Sequence, residues 1–188
     1  MPAASPASRA ALGRVLVSAD QIAARMPTLA DEVVRWLGEG DDEVVIIPVM
    51  TGAFIFAADL VRQLPMRMRI TLATVSSYPG AATTSQGVRP VGNLPARLDG
   101  RRVLIVDDIL DSGGTLRLLR SEFMARGAAD VRACVLLRKR IPSALGTPCE
   151  YVGFDIDDEF VVGYGLDYDD LYRNLPYVGT LRKDALSR

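Results

Sequence analysis

Histidine is absent from this 188-residue chain. A general base must therefore be a carboxylate, lysine, tyrosine or cysteine, and histidine-centred triads and histidine zinc sites are excluded. Cysteine is scarce as well. Cys134 and Cys149 are the only two, and they have neither zinc-type spacing nor the density of a disulfide scaffold, so reduced cytosolic thiols are the default. No apolar run approaches the roughly 20 residues of a membrane-spanning helix. The leader Met1 to Ser8 lacks the apolar core of a signal peptide, so no membrane role is expected and the location is read as cytoplasmic. Nor does one sign of charge dominate: 22 Lys and Arg face 23 Asp and Glu, leaving no broad basic field for nucleic acid.

What is present suits an enzyme-sized single domain over residues 1–188, with 49% hydrophobic residues and no internal repeat. Residues 1–19 are rich in Ala, Ser and Arg, with no acid before Asp20, a composition shared with organelle transit peptides. Pro2 and Pro6 oppose an early amphipathic helix, so residues 1–17 are read as a loose terminus. Ser18 with Gln21 forms a capping-box pattern that opens a helical region, which Pro27 is expected to break or kink before it ends at Gly38. The next elements expected are a buried strand at Val44 to Met50, a helix at Ala53 to Leu64 and a strand at Arg69 to Val75. A Gly-, Ser-, Thr- and Pro-rich stretch, 76–92, reads as a mobile lid loop. Strand Val103 to Val106, helix Thr115 to Arg126 and strand Val131 to Leu137 complete a βαβ series. That implies an α/β fold, a parallel twisted sheet flanked by helices, with ligands beyond the carboxyl ends of the strands.

The richest stretch runs Val103-Leu104-Ile105-Val106-Asp107-Asp108-Ile109-Leu110-Asp111-Ser112-Gly113-Gly114-Thr115-Leu116. Four apolar residues suit a central parallel strand with Asp107 and Asp108 at its carboxyl end, and the small-residue loop can turn several backbone N–H groups toward one anion before a helix starts. Carboxylates facing hydroxyls and amides facing phosphate suggest a phosphorylated ribose. An acid pair alone would be weak, since response-regulator-like domains place such pairs around a metal; Asp111 and the Ser112 to Thr115 loop at fixed offsets make the pattern specific. Ser112 and Thr115 also read as ordinary helix N-cap residues, a role compatible with anion binding.

This run resembles the phosphoribosyl-diphosphate signature of the type I phosphoribosyltransferases. Downstream, Val152-Gly153-Phe154-Asp155-Ile156 and Phe160-Val161-Val162-Gly163-Tyr164-Gly165-Leu166-Asp167-Tyr168, with Arg173 beyond, resemble the purine-binding hood of the hypoxanthine-guanine phosphoribosyltransferases. Lys139 before Arg140 and the pair Ser77-Tyr78 match that family's base-recognition segment and mobile loop. The hood is read as residues 138–177, folded over the sheet edge.

The resemblance implies a role for each position. Asp107 and Asp108 bind the ribose hydroxyls, directly or through Mg²⁺, with Asp167 as a further magnesium-side carboxylate. Asp111 lies beside the purine and accepts or relays a proton as the base nitrogen attacks the sugar. The N–H groups from Asp111 through Ser112, Gly113, Gly114 and Thr115 hold the 5′-phosphate. Thr51, Gly52 and Arg173 take pyrophosphate, with Met50-Thr51 as a cis peptide in some members. Ser77 and Tyr78 belong to the lid. Lys139 donates to the exocyclic oxygen of a 6-oxopurine, where adenine would present a second donor; leaving such a group unmatched costs about 1–3 kcal/mol. Phe160 offers a stacking face and Val161 a carbonyl, while Asp169 and Asp170 read as solvent-facing. Taken alone, the cluster Arg138-Lys139-Arg140 would read as solvated and Phe160 as core.

The implied activity is Mg²⁺-dependent transfer of phosphoribose from phosphoribosyl diphosphate to hypoxanthine or guanine, by a homodimer or homotetramer. Thr51 stands where the family commonly carries lysine before glycine, Ser76 where relatives often carry lysine, and Gly114 where some do. The alternatives are a non-catalytic sensor of phosphoribosyl diphosphate or nucleotide, which usually adds a basic surface that this chain lacks, and a xanthine-preferring enzyme. The hood argues against orotate.

Overall fold

The computed structural model describes residues 11–38, 44–76, 89–90 and 94–182. In chain order these form β1 (Leu12–Val17), α1 (Ala19–Leu37), β2 (Val44–Met50), α2 (Phe54–Val61), β3 (Met68–Ile70), β4 (Ala73–Ser76) and β5 (Arg89–Pro90). They continue with β6 (Arg102–Leu110), α3 (Gly114–Ala125), β7 (Asp130–Lys139), α4 (Pro142–Leu145), β8 (Tyr151–Ile156), β9 (Val161–Val162) and β10 (Val178–Leu181).

Strands apolar on both sides demand cover on both sides. In β2, Val44 and Ile46 face a core shared with α1 and α2 through Val33, Leu37, Phe56 and Leu60. Their neighbours Val45, Ile47 and Val49 face the other core, where α3 contributes Leu116, Leu119 and Phe123. Phe56 and Phe123 are fully buried, each contributing about 1.5–3 kcal/mol relative to an exposed ring. The strands run β5-β4-β2-β6-β7-β8, with β3 also paired to β2. From β2 the chain first builds outward through β3 and β4, then crosses to β6 on the other side. The order therefore reverses between β2 and β6, where ligands of open α/β sheets bind. The acid pair, Asp107 and Asp108, lies on β6 at that junction.

A second, antiparallel sheet of order β1-β10-β9 forms the hood. Residues 12–17 are therefore not part of a loose terminus: they pair with β10, Leu12 opposite Leu181 and Val17 opposite Val178, and Val17 is buried. The partner strand lies at the far end of the sequence, beyond the reach of local composition. Pro27 lies inside α1, which continues to Leu37 because Met26, Leu29, Ala30 and Val33 bury a continuous face. The Ser18–Gln21 capping box is present. Residues 69–75 divide between β3 and β4, which pair with successive parts of β2.

The expected hood of 138–177 is also redrawn. Tyr151–Ile156 is the edge strand of the main sheet, parallel to β7 with Leu137 opposite Phe154. A Cβ on Gly153 would stand 2.5 Å from the Leu136 carbonyl oxygen, so only glycine allows that approach. After Phe160, the hood's inner strand is short, Val161–Val162.

Removing residues 1–17 is expected to lower the unfolding free energy by at least about 2 kcal/mol, from lost strand pairing and burial of Val17. Urea denaturation monitored by circular dichroism reads the change; an unchanged midpoint would mean that the strand adds nothing to the hood.

Candidate active site

The site begins where β6 runs past its apolar half. The strand continues through both acids to Leu110, so Asp107 and Asp108 stand within it. Asp107 is buried at 6% exposure. Its Oδ1 accepts from the Asp108 N–H at 3.0 Å, and Asp108 Oδ1 accepts from the Ile109 N–H at 2.8 Å. Burial, then the adjacent Asp108 carboxylate, push the Asp107 carboxyl well above its ordinary range. Burial raises Asp108 as well, outweighing its hydrogen bonds and the attraction of Arg173.

One backbone segment closes on Asp108, and a second closes on the first. A Cβ on Gly52 would fall 1.8 Å from Asp108 Oδ2, and a Cβ on Gly165, at φ +106°, would fall 2.1 Å from the Gly52 carbonyl oxygen. The turn after β2, the acid pair and the hood thus touch without room for a methyl group. The Met50-Thr51 peptide is cis. Gly52 lines the cavity, whereas Thr51 is exposed and is not among its lining residues.

That cavity has a volume of about 300 Å³, bounded by Met50, Gly52, the two acids and the loop from Asp111 through Thr115. The loop leads into α3, but its N-cap is Gly113 in a left-handed conformation at φ 77°, with no side-chain cap. Ser112 and Thr115 are therefore not caps: Ser112 Oγ only accepts a long 3.4 Å contact from the Gly114 N–H. A Cβ on Gly113 would lie 2.0 Å from Thr147 Oγ1, which accounts for glycine where a polar cap was expected.

At the other end, Lys139 Nζ lies 3.1 Å from Asp111 Oδ2 and 2.9 Å from Asp158 Oδ1. Burial alone would lower the lysine pKa, but hydrogen bonds to Asp158 and Asp111 keep it above its ordinary value. Phe160 is 46% exposed, with its ring edge-on to Tyr168 at 5.6 Å, while Val161 beside it is buried. Arg173 Nη2 reaches Asp167 Oδ1 at 2.8 Å and the exposed Asp170 at 3.0 Å, and Arg173 Nη1 donates to the Gly165 carbonyl at 2.8 Å. Asp107, Asp108 and Asp167 are expected as magnesium-binding carboxylates. No group of three acid, Cys or His donors able to hold a metal occurs among the described residues; Asp167 is instead engaged by Arg173 and by the Asp170 N–H at 2.9 Å. Ser77 and Tyr78 lie outside the described residues.

Three supporting contacts were not anticipated. Arg117 Nη2 donates to the Ser112 carbonyl at 2.9 Å and Nη1 to Thr147 Oγ1 at 2.6 Å, bracing the loop from behind. A cation in the first turn of a helix opposes the helix dipole, and that anomaly was visible in the sequence. Tyr164 donates to Asp59 of α2, tying the hood to the element after the Thr51-Gly52 turn. Asp158 had a weaker signal: Asp155, Asp157 and Asp158 lie opposite Arg138-Lys139-Arg140, pairing as Arg138–Asp155 at 2.7 Å and Arg140–Asp157 at 3.2 Å.

This arrangement joins a glycine-containing loop and an acid pair around one crevice on a parallel sheet, with a charged lysine paired to the loop through Asp111. Residues 18–169 match the phosphoribosyl transferase domain family model, and the chain belongs to that family. The chain is 44% identical to a hypoxanthine-guanine phosphoribosyltransferase of Mycobacterium tuberculosis, over 89% of this chain and 85% of that protein. It is 40% identical to a hypoxanthine phosphoribosyltransferase of Haemophilus influenzae, over 88% of this chain and 93% of that protein. The crystal structure of a hypoxanthine phosphoribosyltransferase from Staphylococcus aureus superposes with a TM-score of 0.89 at 31% identity, covering 99% of this chain and all of the other. The fold is the type I phosphoribosyltransferase fold.

Asp107 supplies a test of the buried acid pair. A carboxyl with a raised native pKa binds its proton more tightly when folded, so its contribution to stability falls as pH climbs above the ordinary value of 3.8. Asp107→Asn keeps an acceptor for the Asp108 N–H while removing the charge. It is expected to melt higher than the wild type at neutral pH, with the advantage gone below pH 3.8. A lower melting temperature at neutral pH would contradict the account.

Proposed function

We propose that the protein is a purine-salvage enzyme that transfers phosphoribose from phosphoribosyl diphosphate to hypoxanthine or guanine, releasing the nucleotide and pyrophosphate. One observation carries the reading: the loop that lines the cavity also supplies Asp111, which is ion-paired at 3.1 Å to Lys139. A phosphate cradle and a donor suited to a 6-oxopurine thus belong to one continuous site.

In this reading the N–H groups of Asp111 through Thr115 hold the 5′-phosphate, and Asp107 and Asp108 accept from the ribose hydroxyls. The sugar C1–oxygen bond to pyrophosphate breaks, with the electron pair leaving on pyrophosphate, as a purine ring nitrogen forms the new bond to C1. Asp111 accepts the proton that the base gives up. Arg173 and the main chain of Thr51 and Gly52 receive the pyrophosphate, Phe160 stacks on the purine, and the Val161 carbonyl accepts from a base N–H. The lid carrying Ser77 and Tyr78 keeps water from the electrophilic sugar.

Mg²⁺ is the proposed cofactor. The carboxylates fit it in a limited sense, because Mg²⁺ keeps several waters and takes substrate oxygens, needing only one or two carboxylates from protein. Asp107 and Asp108 would hold it on the ribose side and Asp167 on the pyrophosphate side. When bound it would neutralise charge on the departing pyrophosphate.

A homodimer or homotetramer is proposed as the working form. It is supported by an apolar groove of about 320 Å³ between α2 and the β3–β4 edge, where Phe54, Ile70 and Leu72 are each more than half exposed. Such contiguous apolar surface commonly marks an interface. No helix among the described residues is long and apolar enough to cross a membrane; cytoplasm is the proposed location.

With Mg²⁺ and phosphoribosyl diphosphate, purified protein is expected to release pyrophosphate with hypoxanthine and guanine, and with adenine at least about a hundredfold more slowly. No base-dependent release would favour a nucleotide sensor; faster release with xanthine than with either would reassign the base. Asp111→Asn is expected to lower kcat by about 10²–10⁴-fold, the usual contribution of a positioned acid–base group, while substrate binding persists. Wild-type turnover in that variant would remove Asp111 from the mechanism.

A further inference from the structure

The lysine side chain at the end of β7 is held by two carboxylates from two different segments. Asp111 reaches it at 3.1 Å from the loop after β6, and Asp158 at 2.9 Å from the turn between β8 and β9. Lys139 itself is 13% exposed, whereas Asp158 is 63% exposed. An ammonium has three N–H donors and no acceptor. With two donors given to carboxylates, one is left for a ligand.

The two carboxylates are not equivalent in the reaction proposed above. Asp111 receives the base proton, and once protonated it no longer offers Lys139 a negative charge. Asp158 has no such duty, and it lies on the turn that leads directly to Phe160 and Val161. We infer that Asp158 is a positioning residue for base recognition: it keeps Lys139 charged and aimed at the exocyclic oxygen while Asp111 changes protonation state. The inference rests on the hypoxanthine-guanine reading and deepens it. It assigns discrimination between 6-oxopurines and 6-aminopurines to a Lys139–Asp158 pair rather than to the lysine alone. The neighbouring pairs Arg138–Asp155 and Arg140–Asp157 satisfy the flanking cations, which leaves Asp158 to Lys139.

The test is a mutant cycle read by steady-state kinetics on the full chain: wild type, Asp158→Asn, Asp158→Glu, Lys139→Ala and the Asp158→Asn/Lys139→Ala double variant. Asp158→Asn is expected to raise KM for hypoxanthine and guanine about three- to tenfold while KM for phosphoribosyl diphosphate stays within about twofold, as for a lost charge-assisted contact at one subsite. Asp158→Glu restores most of the loss. In the Lys139→Ala background, Asp158→Asn adds less than about twofold, because the residue acts through the lysine. Melting temperatures of the exposed-site variants verify that folding is intact. Equal rises in KM for both substrates, or an undiminished effect without Lys139, would overturn the inference while leaving the activity standing. A wild-type protein inactive with every 6-oxopurine would overturn the functional reading, and this inference with it.

Discussion

The rest of the site depends on a close approach: Gly52, Asp108 and Gly165 meet with no space for a Cβ between them. A carboxylate this confined can be brought to the end of a buried strand only if its neighbours are backbone. The turn after β2 supplies that backbone, the hood backs it at Gly165, and both are held in place from outside. Tyr164 reaches across to Asp59 on α2, and Arg173 returns to the Gly165 carbonyl at 2.8 Å. The topology makes the meeting natural, because the strand order reverses between β2 and β6 and opens a crevice there.

From that junction the site extends in two directions with opposite electrostatic needs. Toward α3 lies the proposed phosphate loop, braced behind by Arg117 on the Ser112 carbonyl. Toward the hood, acids and cations are paired in alternation, with Arg173 between Asp167 and Asp170 and Lys139 between Asp111 and Asp158. Each cation is thereby held charged between carboxylates, which costs less than burying a bare ion. The acid pair between the two ends is electrostatically the least favourable part, since Asp107 is both buried and beside a second carboxylate. Proteins commonly place such locally unfavourable groups at functional sites.

Much of this was legible in the residues. Central strands announce themselves as apolar runs, so Val44–Met50 stands as expected, and the core of β6 and β7 lies where the patterns put it. The loop from Asp107 to Thr115 lies together at the cavity, and Lys139 joins it through Asp111. What was missed depended on distant partners. β1 is a strand only because β10 lies beside it, and β8 joins the main sheet because Gly153 fits against Leu136. Gly113 replaced the expected cap because Thr147 occupies the space of a side chain. Asp158 gave only a charge run, which on its own reads as solvated surface.

The central claim is that one crevice binds phosphate at the α3 loop and a 6-oxopurine at Lys139. Calorimetric titration of the full chain with GMP, guanosine and AMP tests both ends at once. GMP is expected to bind at least about a hundredfold more tightly than guanosine, the value of a few charge-assisted bonds to phosphate, and at least about tenfold more tightly than AMP. Equal affinity for GMP and guanosine would contradict the phosphate cradle, and equal affinity for GMP and AMP would contradict base selection by the lysine.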